Sequence, residues 1–310
     1  MAAPRLSAED SAALTRKITL ASVGVAALLV TLKSAVYAIS GSVALLASAA
    51  DSGLDLLASL VTFFAVRFAA TPPDAEHRFG HGKAEAFASL VQAGLVFASA
   101  ALIGREAFHA FSEPKPIENS AWAIGVMVVS TLLTGGLIYA QGQVLKKTSS
   151  VAVAGDRAHY ASDLASNVIA LVGIAATVLL GLGQVDAIAG LLVCALLVWS
   201  AISVFRQASN QLMDRELPDE DRERIVALAL ADPAVHSVHS LRTRASGPFV
   251  YIELQIELDP DQSLDEAHHK IIACENRLLT EFPAADIIIH ADPKGRAAPH
   301  KGAFARASRF

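Results

Sequence analysis

The sequence predicts a membrane α-helical protein, with six transmembrane helices followed by a small α+β domain of order αββαβ. Three observations support this. Of the 310 residues, 53% are hydrophobic, and the mean hydropathy is positive at +0.45. Charged residues make up 18%, whereas soluble proteins carry about a quarter. The charges also crowd toward the C-terminal third, which indicates a membrane part followed by a soluble part.

Six apolar segments are long enough to cross a bilayer, which takes roughly 20 residues. Residues 1–17 precede them as a polar N-terminal segment without the features of a cleavable signal peptide. The short turns SGS and GLGQ join spans one and two, and spans five and six, as helical hairpins. The predicted spans are Ile18–Ile39, Val43–Ala70, Ala86–Ala110, Ala121–Ala140, Val151–Leu182 and Val185–Phe205.

The distribution of basic residues predicts the orientation. Lys115 is almost the only basic residue in the opposite loops. The positive-inside rule therefore places both termini in the cytoplasm. The residues that share the cytoplasmic side are Arg5, Arg16, Lys17, Arg78, Lys83, Lys146, Lys147, Arg157 and Arg206.

The pattern changes after the membrane domain, residues 18–211, and predicts a separate domain over residues 212–293. PDEDRERIVALALAD is typical of an amphipathic helix, and VHSVHSLRTR and FVYIELQIEL of strands, the second alternating with period two. Ser263 and Glu266 have the spacing of a helix capping box, and ADIIIHADP predicts a third strand. The basic tail, residues 294–310, is predicted to be disordered.

Composition argues against two classes of protein. The net charge of −5 says little about nucleic acid, but no basic stripe is present, so nucleic acid is not expected as a partner. Cys194 and Cys274 are isolated from each other, which predicts two buried thiols rather than a disulfide framework or a CxxC metal site.

Two pairs of ionisable residues interrupt the apolar spans at helical spacing. Asp51 and Asp55 lie four apart in span two, and His159 and Asp163 lie four apart in span five. Residues four apart share a helix face, and each intramembrane carboxylate costs roughly 2.5–3.5 kcal/mol at mid-bilayer. Two simpler interpretations stay open: an intramembrane Asp paired with Lys33 or Arg67, and His159 as a polar cap at the start of span five.

Together, the two pairs form a set of three carboxylates and one imidazole. This set suits tetrahedral Zn²⁺ or a similar divalent ion, whose charge compensates the buried carboxylates. Without the ion, low dielectric and mutual repulsion favour protonated carboxyl groups. A site that holds either a metal ion or protons is what an antiporter requires.

Two further groups of residues could bind metal. Asp74, His77 and His81 follow span two as D-x₂-H-x₃-H, with a solvated polar loop as the alternative. The soluble domain holds a second group, with surface histidines as the alternative. Its members are His236, His239, His268, His269, His290 and Asp292, of which His290 and Asp292 share one face of the last strand.

Two other function classes are compatible with these residues. One is a membrane metalloenzyme with a catalytic zinc on Asp55, His159 and Asp163, although the sequence contains neither HExxH nor GxSxG. The other is a metal-sensing scaffold whose soluble domain dimerises while the spans serve as an anchor, which would leave Asp51 and Asp55 without a purpose.

The chain resembles the cation diffusion facilitators, in particular their bacterial zinc and ferrous-iron exporters, from Lys17 to Pro293. The motifs are GSVALLASAADSGLDLLASL, HRFGHGKAEAFASL, HYASD, LMDRELPDEDR, LRTRASGP and DIIIHADP. The resemblance implies six transmembrane helices and a ferredoxin-like cytoplasmic domain. It also implies a homodimer in the bacterial inner membrane that is not an enzyme and exports Zn²⁺ or a related ion in exchange for protons.

The resemblance also assigns residues by motif. The transport site falls on Asp51, Asp55, His159 and Asp163, the loop site on Asp74, His77 and His81, and the cytoplasmic zinc site on His239, His268, His290 and Asp292. Lys83 and Asp214 correspond to an ion pair between the two domains. One departure is Gln255, an amide where the family has a further histidine ligand. The imidazole in the transport site favours Zn²⁺ over Mg²⁺ or Mn²⁺, while Fe²⁺, Cd²⁺ and Co²⁺ fit the same ligands.

Overall fold

The computed structural model describes residues 6–40, 43–112, 121–180 and 183–296. Most of the predicted disordered tail, and part of each predicted hairpin turn, lie outside these ranges. Six long helices come first: α1 (Ala8–Ser40), α2 (Val43–Ala69), α3 (Ala84–Ser112), α4 (Ala121–Thr148), α5 (Val151–Leu180) and α6 (Gly183–Leu212). The C-terminal elements are α7 (Asp219–Ala229), β1 (Ser237–Ser246), β2 (Phe249–Leu258), α8 (Leu264–Glu281) and β3 (Ala285–Pro293).

The long helices form one bundle in which α1 packs on α2 and α4, and α3 packs on α5 and α6. Among the described residues, five stretches of helix are long and apolar enough to cross a membrane. They are Ala8–Ile39, Ser48–Ala69, Ala84–Arg105, Gly125–Thr148 and Gly190–Leu212. The predicted fifth span is present as helix α5, which carries Asp156, Arg157 and Asp163 in its first half.

Helix α1 begins ten residues before the predicted first span, so most of the predicted N-terminal segment is helical. The start of α1 is capped by Ser7, whose hydroxyl accepts a hydrogen bond from the backbone N–H of Asp10 at 3.1 Å. Ser7 in turn donates to the Asp10 carboxylate at 2.7 Å. Capping of this kind satisfies N–H groups that the first turn leaves unpaired, so a polar stretch continues the membrane helix.

The C-terminal domain has the predicted αββαβ order. Its sheet has the strand order β1-β2-β3, with β1 antiparallel to β2 and β2 parallel to β3. Helix α8 makes the crossover between the parallel strands, and α7 and α8 pack together on the sheet. The period-two prediction for β2 is confirmed, because Val250, Ile252, Leu254 and Ile256 are buried.

The bundle and the C-terminal domain meet through the loop between α2 and α3, residues 70–83, hereafter the 2–3 loop. A Cβ on Gly82 would lie 2.1 Å from the Ser246 carbonyl oxygen, and one on Gly247 would lie 2.7 Å from the Gly82 carbonyl oxygen. Only glycine permits this approach of the loop to the β1–β2 turn. Gly247 also has a positive φ of 57°, which glycine adopts without steric cost.

An aromatic contact completes this interface. The Tyr251 hydroxyl donates to the Phe79 carbonyl oxygen at 2.5 Å, and the Arg244 guanidinium lies over both rings, 4.9 Å from the Phe79 centroid and 4.5 Å from that of Tyr251. Burial raises the pKa of Tyr251, and nearby Arg244 opposes the rise. The phenol therefore stays protonated and remains a hydrogen-bond donor.

The capping box of α8 is present as predicted: Ser263 accepts from the Glu266 backbone N–H at 3.2 Å, and the Glu266 carboxylate accepts from the Ser263 N–H at 2.7 Å. We expect Ser263→Ala to lower the opening free energy of the first turn of α8 by about 1 kcal/mol. Amide hydrogen exchange of the full chain measures this quantity. Thr280→Ala is the control, since among the described residues the Thr280 hydroxyl bonds within the helix alone, to the Asn276 carbonyl. Equal protection in both variants would contradict the prediction.

The same capping box makes the stability of the first turn of α8 depend on pH. Hydrogen bonds from the Ser263 N–H and hydroxyl hold the pKa of Glu266 below its ordinary value of 4.5. A carboxyl group whose pKa is lower in the folded state stabilises that state above the unfolded pKa and loses this effect as the pH falls. We therefore expect protection of the first turn of α8 to be constant above pH 5 and to fall below about pH 4.5.

Candidate metal centre

Three of the four predicted transport residues come together between α2 and α5. The His159 Nε2 atom lies 3.1 Å from Asp55 Oδ1 and 3.8 Å from Asp163 Oδ2. One ligand atom from each residue lies within 4.8 Å of the others. Asp55 and His159 are buried, at 9% and 5% exposure. The spacing of four residues between His159 and Asp163 places both on the face of α5 that meets α2.

The donor atoms of this trio fit a divalent cation. Asp163 Oδ2 and His159 Nδ1 are buried and have no hydrogen-bond partner among the described residues. Buried polar atoms are rarely left unpaired, and two carboxylates with one imidazole are ligands suited to zinc and similar ions. The polar-cap alternative for His159 does not describe its contacts, because its ring nitrogen faces a carboxylate on another helix.

Asp51 stands apart from the trio. It lies one turn before Asp55 on α2 and is exposed, and it does not belong to the group whose ligand atoms lie within 4.8 Å of one another. It is nevertheless close enough to interact electrostatically with Asp55, Lys33 and His159. A four-ligand site would therefore require Asp51 to move toward the trio.

Lys33 on α1 is a charged neighbour of the site that the sequence suggested only as a partner for an aspartate. Its side chain is buried, with 9% exposure. Its ammonium donates to Ser52 Oγ at 2.6 Å and to the Ser48 carbonyl oxygen at 3.3 Å. Its charge also interacts favourably with Asp55, Asp51 and Asp163. A buried lysine beside carboxylates reduces the net negative charge that an entering cation meets.

The three loop residues also come together. His81 Nε2 lies 3.3 Å from Asp74 Oδ2, and His77 Nδ1 lies 3.5 Å from Asp74 Oδ1. Their ligand atoms lie within 4.8 Å of one another. Gly80 has a φ of 73°, so this segment is a turn, as the glycines at positions 80 and 82 indicate, although histidines four apart also match helical spacing.

The surroundings of the loop cluster prepare it for a metal ion. The backbone N–H groups of His77 (2.7 Å) and Glu76 (2.9 Å) donate to Asp74 Oδ1. These bonds, that from His77 first, lower the pKa of the Asp74 carboxyl group. Thr71 Oγ1 lies 2.9 Å from His81 Nδ1, which leaves Nε2 facing the carboxylate. Such outer contacts orient metal-binding histidines.

The predicted cytoplasmic cluster is assembled in part. His239 Nε2 on β1 lies 3.2 Å from Asp292 Oδ2 on β3, and His290 Nε2 lies 3.4 Å from Asp292 Oδ1. Gln255 on β2 sits between them, in register with His239 and with His290. The donor set on the sheet is therefore two imidazoles, one carboxylate and an amide, which is a weaker zinc donor than a third imidazole.

The other soluble-domain histidines lie outside this cluster. His268 on α8 is exposed, and its described ring contact is with His269, 6.4 Å away between centroids. His269 Nε2 lies 3.8 Å from Asp265 Oδ2. His236 Nδ1 lies 3.4 Å from the Lys294 ammonium.

Lys83 and Asp214 form an ion pair between the two domains, with 3.0 Å from Nζ to Oδ1. The Arg244 guanidinium reaches the same carboxylate at 3.4 Å, and Lys83 also donates to the Leu212 carbonyl oxygen at 3.3 Å. Lys83 follows the loop cluster directly, so one short segment carries both metal-binding residues and contacts with the C-terminal domain.

Two family models match the chain in the same order as its two domains. The cation efflux transmembrane domain matches residues 19–213. The cytoplasmic domain of cation efflux proteins, a dimer-forming module, matches residues 217–294. Together they cover the bundle that holds the trio and the αββαβ domain.

Curated relatives agree over nearly the whole length. The cation-efflux pump FieF of Yersinia enterocolitica is 37% identical over 282 residues, which cover 91% of this chain and 94% of the relative. FieF of Yersinia pestis is 37% identical over 274 residues, 88% of this chain and 91% of that protein.

Solved structures match the C-terminal part. The Zn form of CzrB is 32% identical and covers 27% of this chain and 98% of that chain, with a TM-score of 0.26. The metal-bound C-terminal domain of the CzcD transporter from Thermotoga maritima is 27% identical and covers 26% of this chain and all of that chain, with a TM-score of 0.25. From the family models and the full-length relatives, the chain belongs to the cation efflux family, whose members are multi-pass membrane transporters rather than enzymes.

Proposed function

We propose that this protein is a proton-coupled antiporter that exports Zn²⁺, or a chemically similar ion such as Fe²⁺, Cd²⁺ or Co²⁺, from the cytoplasm. In this proposal it acts as a homodimer in the bacterial inner membrane, with six transmembrane helices per subunit and both termini in the cytoplasm. The observation that carries the proposal is the cluster of Asp55, His159 and Asp163 where α2 meets α5.

The chemistry of the trio supports exchange of a metal ion for protons. Two carboxylates and an imidazole bind a divalent cation only when deprotonated, so metal affinity falls as protons bind. Within a low-dielectric bundle, the empty site carries protons in place of the ion. Metal and protons therefore occupy the site by turns, and each displaces the other.

Transport then requires the site to face either side of the membrane. We propose that the site releases protons and takes one ion while it faces the cytoplasm, and that the helices then rearrange to face outward. There, protons displace the ion and return inward with the gradient. Movement of Asp51 toward the trio would complete a four-ligand shell in one of these states, since it lies a single turn from Asp55 on the same helix.

The arrangement of basic residues supports the proposed orientation. Lys83, at the end of the 2–3 loop, pairs with Asp214 of the C-terminal domain. A cavity of about 560 Å³ is lined by Ser149 and Val151, where α4 meets α5, and by Gly247 of the β1–β2 turn. The basic end of α4 and the basic start of α5 therefore lie on the same side of the bundle as the C-terminal domain. By the positive-inside rule, we assign that side to the cytoplasm.

The two other clusters have proposed roles outside the transport step. We assign Zn²⁺ binding at the sheet to His239, His290 and Asp292, with His268 as a further ligand, and propose that it draws the two cytoplasmic domains of a dimer together. Binding that differs between two conformations shifts their populations. We also assign a metal site to Asp74, His77 and His81.

The transport proposal predicts the effect of removing single ligands. We expect Asp163→Ala and Asp51→Ala to reduce pH-gradient-driven Zn²⁺ flux in proteoliposomes by about a hundredfold or more, since each removes a carboxylate that holds the ion. Glu9→Ala is the matched control, because Glu9 is an exposed acid in the first turn of α1. Flux at the wild-type rate in the Asp163 variant would contradict the assignment, and wild-type flux in the Asp51 variant would limit the site to the trio.

The amide at position 255 gives a separate prediction. We expect Gln255→His to strengthen Zn²⁺ binding at the cytoplasmic cluster by about tenfold, because an imidazole replaces a weak amide donor. Titration of the full-length protein with Zn²⁺ against a competing chelator measures this affinity. Glu253→His is the control, since position 253 lies on the same face of β2 but pairs with Arg242 and Ile288. Equal affinities in the two variants would remove the cluster from the proposal.

A further inference from the structure

A second buried carboxylate lies close to the transport trio. Asp156 on α5 has no exposed surface, and each of the first four helices places an amide or hydroxyl side chain next to it. Gln141 Nε2 on α4 donates to Oδ2 at 2.9 Å, and Gln92 Nε2 on α3 donates to Oδ1 at 3.3 Å. The hydroxyl groups of Ser22 on α1 and Ser59 on α2 also lie beside the carboxylate. We call these five residues the Asp156 cage.

Every donor in the cage is electrically neutral. Among the described residues, no Lys, Arg or His forms an ion pair with Asp156, and neighbouring Arg157 points outward, is exposed and donates to the Ile138 carbonyl oxygen at 3.3 Å. Buried charges are normally paired with an opposite charge, and the alternative is a neutral group. The cage therefore differs from the trio, in which an imidazole faces the carboxylates.

The two glutamines allow the cage to accommodate Asp156 with or without a proton. Their Nε2 atoms donate to the carboxylate, while their Oε1 atoms are buried and have no hydrogen-bond partner among the described residues. Rotation of the Gln141 amide by half a turn would present Oε1 to Asp156, where it could accept a hydrogen bond from the protonated acid, while Gln92 Nε2 keeps its bonds to the Ala58 carbonyl oxygen and the Thr62 hydroxyl. The same residues can thus satisfy both forms, which is uncommon for a buried carboxyl group.

The position of the cage relates it to the metal site. Asp156 lies three residues before His159 on α5, about 4.5 Å along the helix axis, and Ser59 lies one turn after Asp55 on α2. Ser59 Oγ also lies 2.7 Å from the Tyr160 hydroxyl, which donates to the Ser22 carbonyl oxygen at 3.1 Å. On both α2 and α5, the cage residues lie between the trio and the helix end that faces the C-terminal domain.

The titratable groups around the cage come from α1, α2, α3 and α5. Glu85 is bound separately by the Ser150 hydroxyl, and Lys33 by Ser52. Among the described residues, α4 and α6 present no titratable side chain to Asp156. The full set is Lys33, Asp55, Glu85, Arg157, His159, Tyr160 and Asp163.

We infer that Asp156 is an additional proton-binding residue of the transporter, distinct from the metal ligands. This inference rests on the proposed proton-coupled export. Entry of a dication at the trio, one helical turn away, favours the charged form of Asp156. The O–H bond of the carboxyl group then breaks and its proton passes to solvent, and the group takes up a proton again when the ion leaves. Proton and metal are coupled here through charge, without sharing a ligand atom.

Counting the protons released per Zn²⁺ bound tests this assignment. Purified full-length wild type and Asp156→Asn are titrated with Zn²⁺ in weak buffer containing a pH indicator, between pH 5.5 and 8. We expect the variant to release up to about one proton fewer per ion bound to the membrane domain. Both proteins keep the loop and cytoplasmic sites, so the protons released at these sites are the same in both and cancel in the difference. Equal release at every pH would overturn the inference, even if the variant were less stable.

A second variant covers the case in which Asp156→Asn does not fold. Gln141→Leu keeps the carboxyl group but removes a donor to its charged form, so proton release on Zn²⁺ binding should move to higher pH by about one unit. Gln207→Leu on α6 is the control, since its amide bonds to Ser203 of the same helix. Release at the wild-type pH in the Gln141 variant would also overturn the inference.

The proposed function fails by a different result. If wild-type protein bound Zn²⁺ without releasing protons, or if its Zn²⁺ flux in proteoliposomes did not depend on the pH gradient, the proposal of proton coupling would be wrong. If the wild type released protons on binding Zn²⁺ and its flux followed the pH gradient, and Asp156→Asn released as many protons as the wild type, only the role of Asp156 would be lost.

Discussion

A carboxylate held away from water between packed helices must be matched by a cation, by hydrogen-bond donors or by a proton, and this constraint organises the whole bundle. Asp55 and Asp163 are matched by an imidazole between them. Asp156 is matched by amide donors from α3 and α4 and lies beside hydroxyl groups of α1 and α2. Because each solution depends on groups from different helices, the positions of the helices and the charges of the buried groups cannot change independently.

The contact between α2 and α5 is where this dependence is strongest. The Asp55–His159 contact and the Ser59–Tyr160 hydrogen bond lie one turn apart on α2 and involve adjacent residues on α5. A tilt or rotation that separated the metal ligands would therefore also strain the hydroxyl contacts that fix the register of the two helices. In the proposed cycle, a change of charge at the trio would be transmitted directly to the packing of α2 against α5, which is how a bound ion can bias a conformational equilibrium.

The 2–3 loop gives the membrane and C-terminal domains a similar dependence on each other. Within a few residues it carries the loop cluster, the Phe79 contact with Tyr251, the close approach of Gly82 to the β1–β2 turn, and Lys83. The Asp214 carboxylate, in turn, is shared between Lys83 and Arg244. An ion bound at the loop cluster would restrain a segment that already docks on the C-terminal domain, so metal occupancy and domain docking would influence each other.

The sequence by itself determined the features that depend on neighbours along the chain. Apolar length predicts the membrane helices, a period of two predicts β2, a three-residue spacing predicts the cap of α8, and a four-residue spacing predicts the pairing of His159 with Asp163. Only the tertiary structure decided which distant groups meet. It joined Asp55 to His159, left Asp51 outside the trio, and enclosed Asp156, a residue that no local pattern distinguishes, among amide and hydroxyl side chains from four other helices. The reason is physical: local spacing sets the face of one element, while the cost of a buried charge is decided by atoms that the fold brings from elsewhere in the chain.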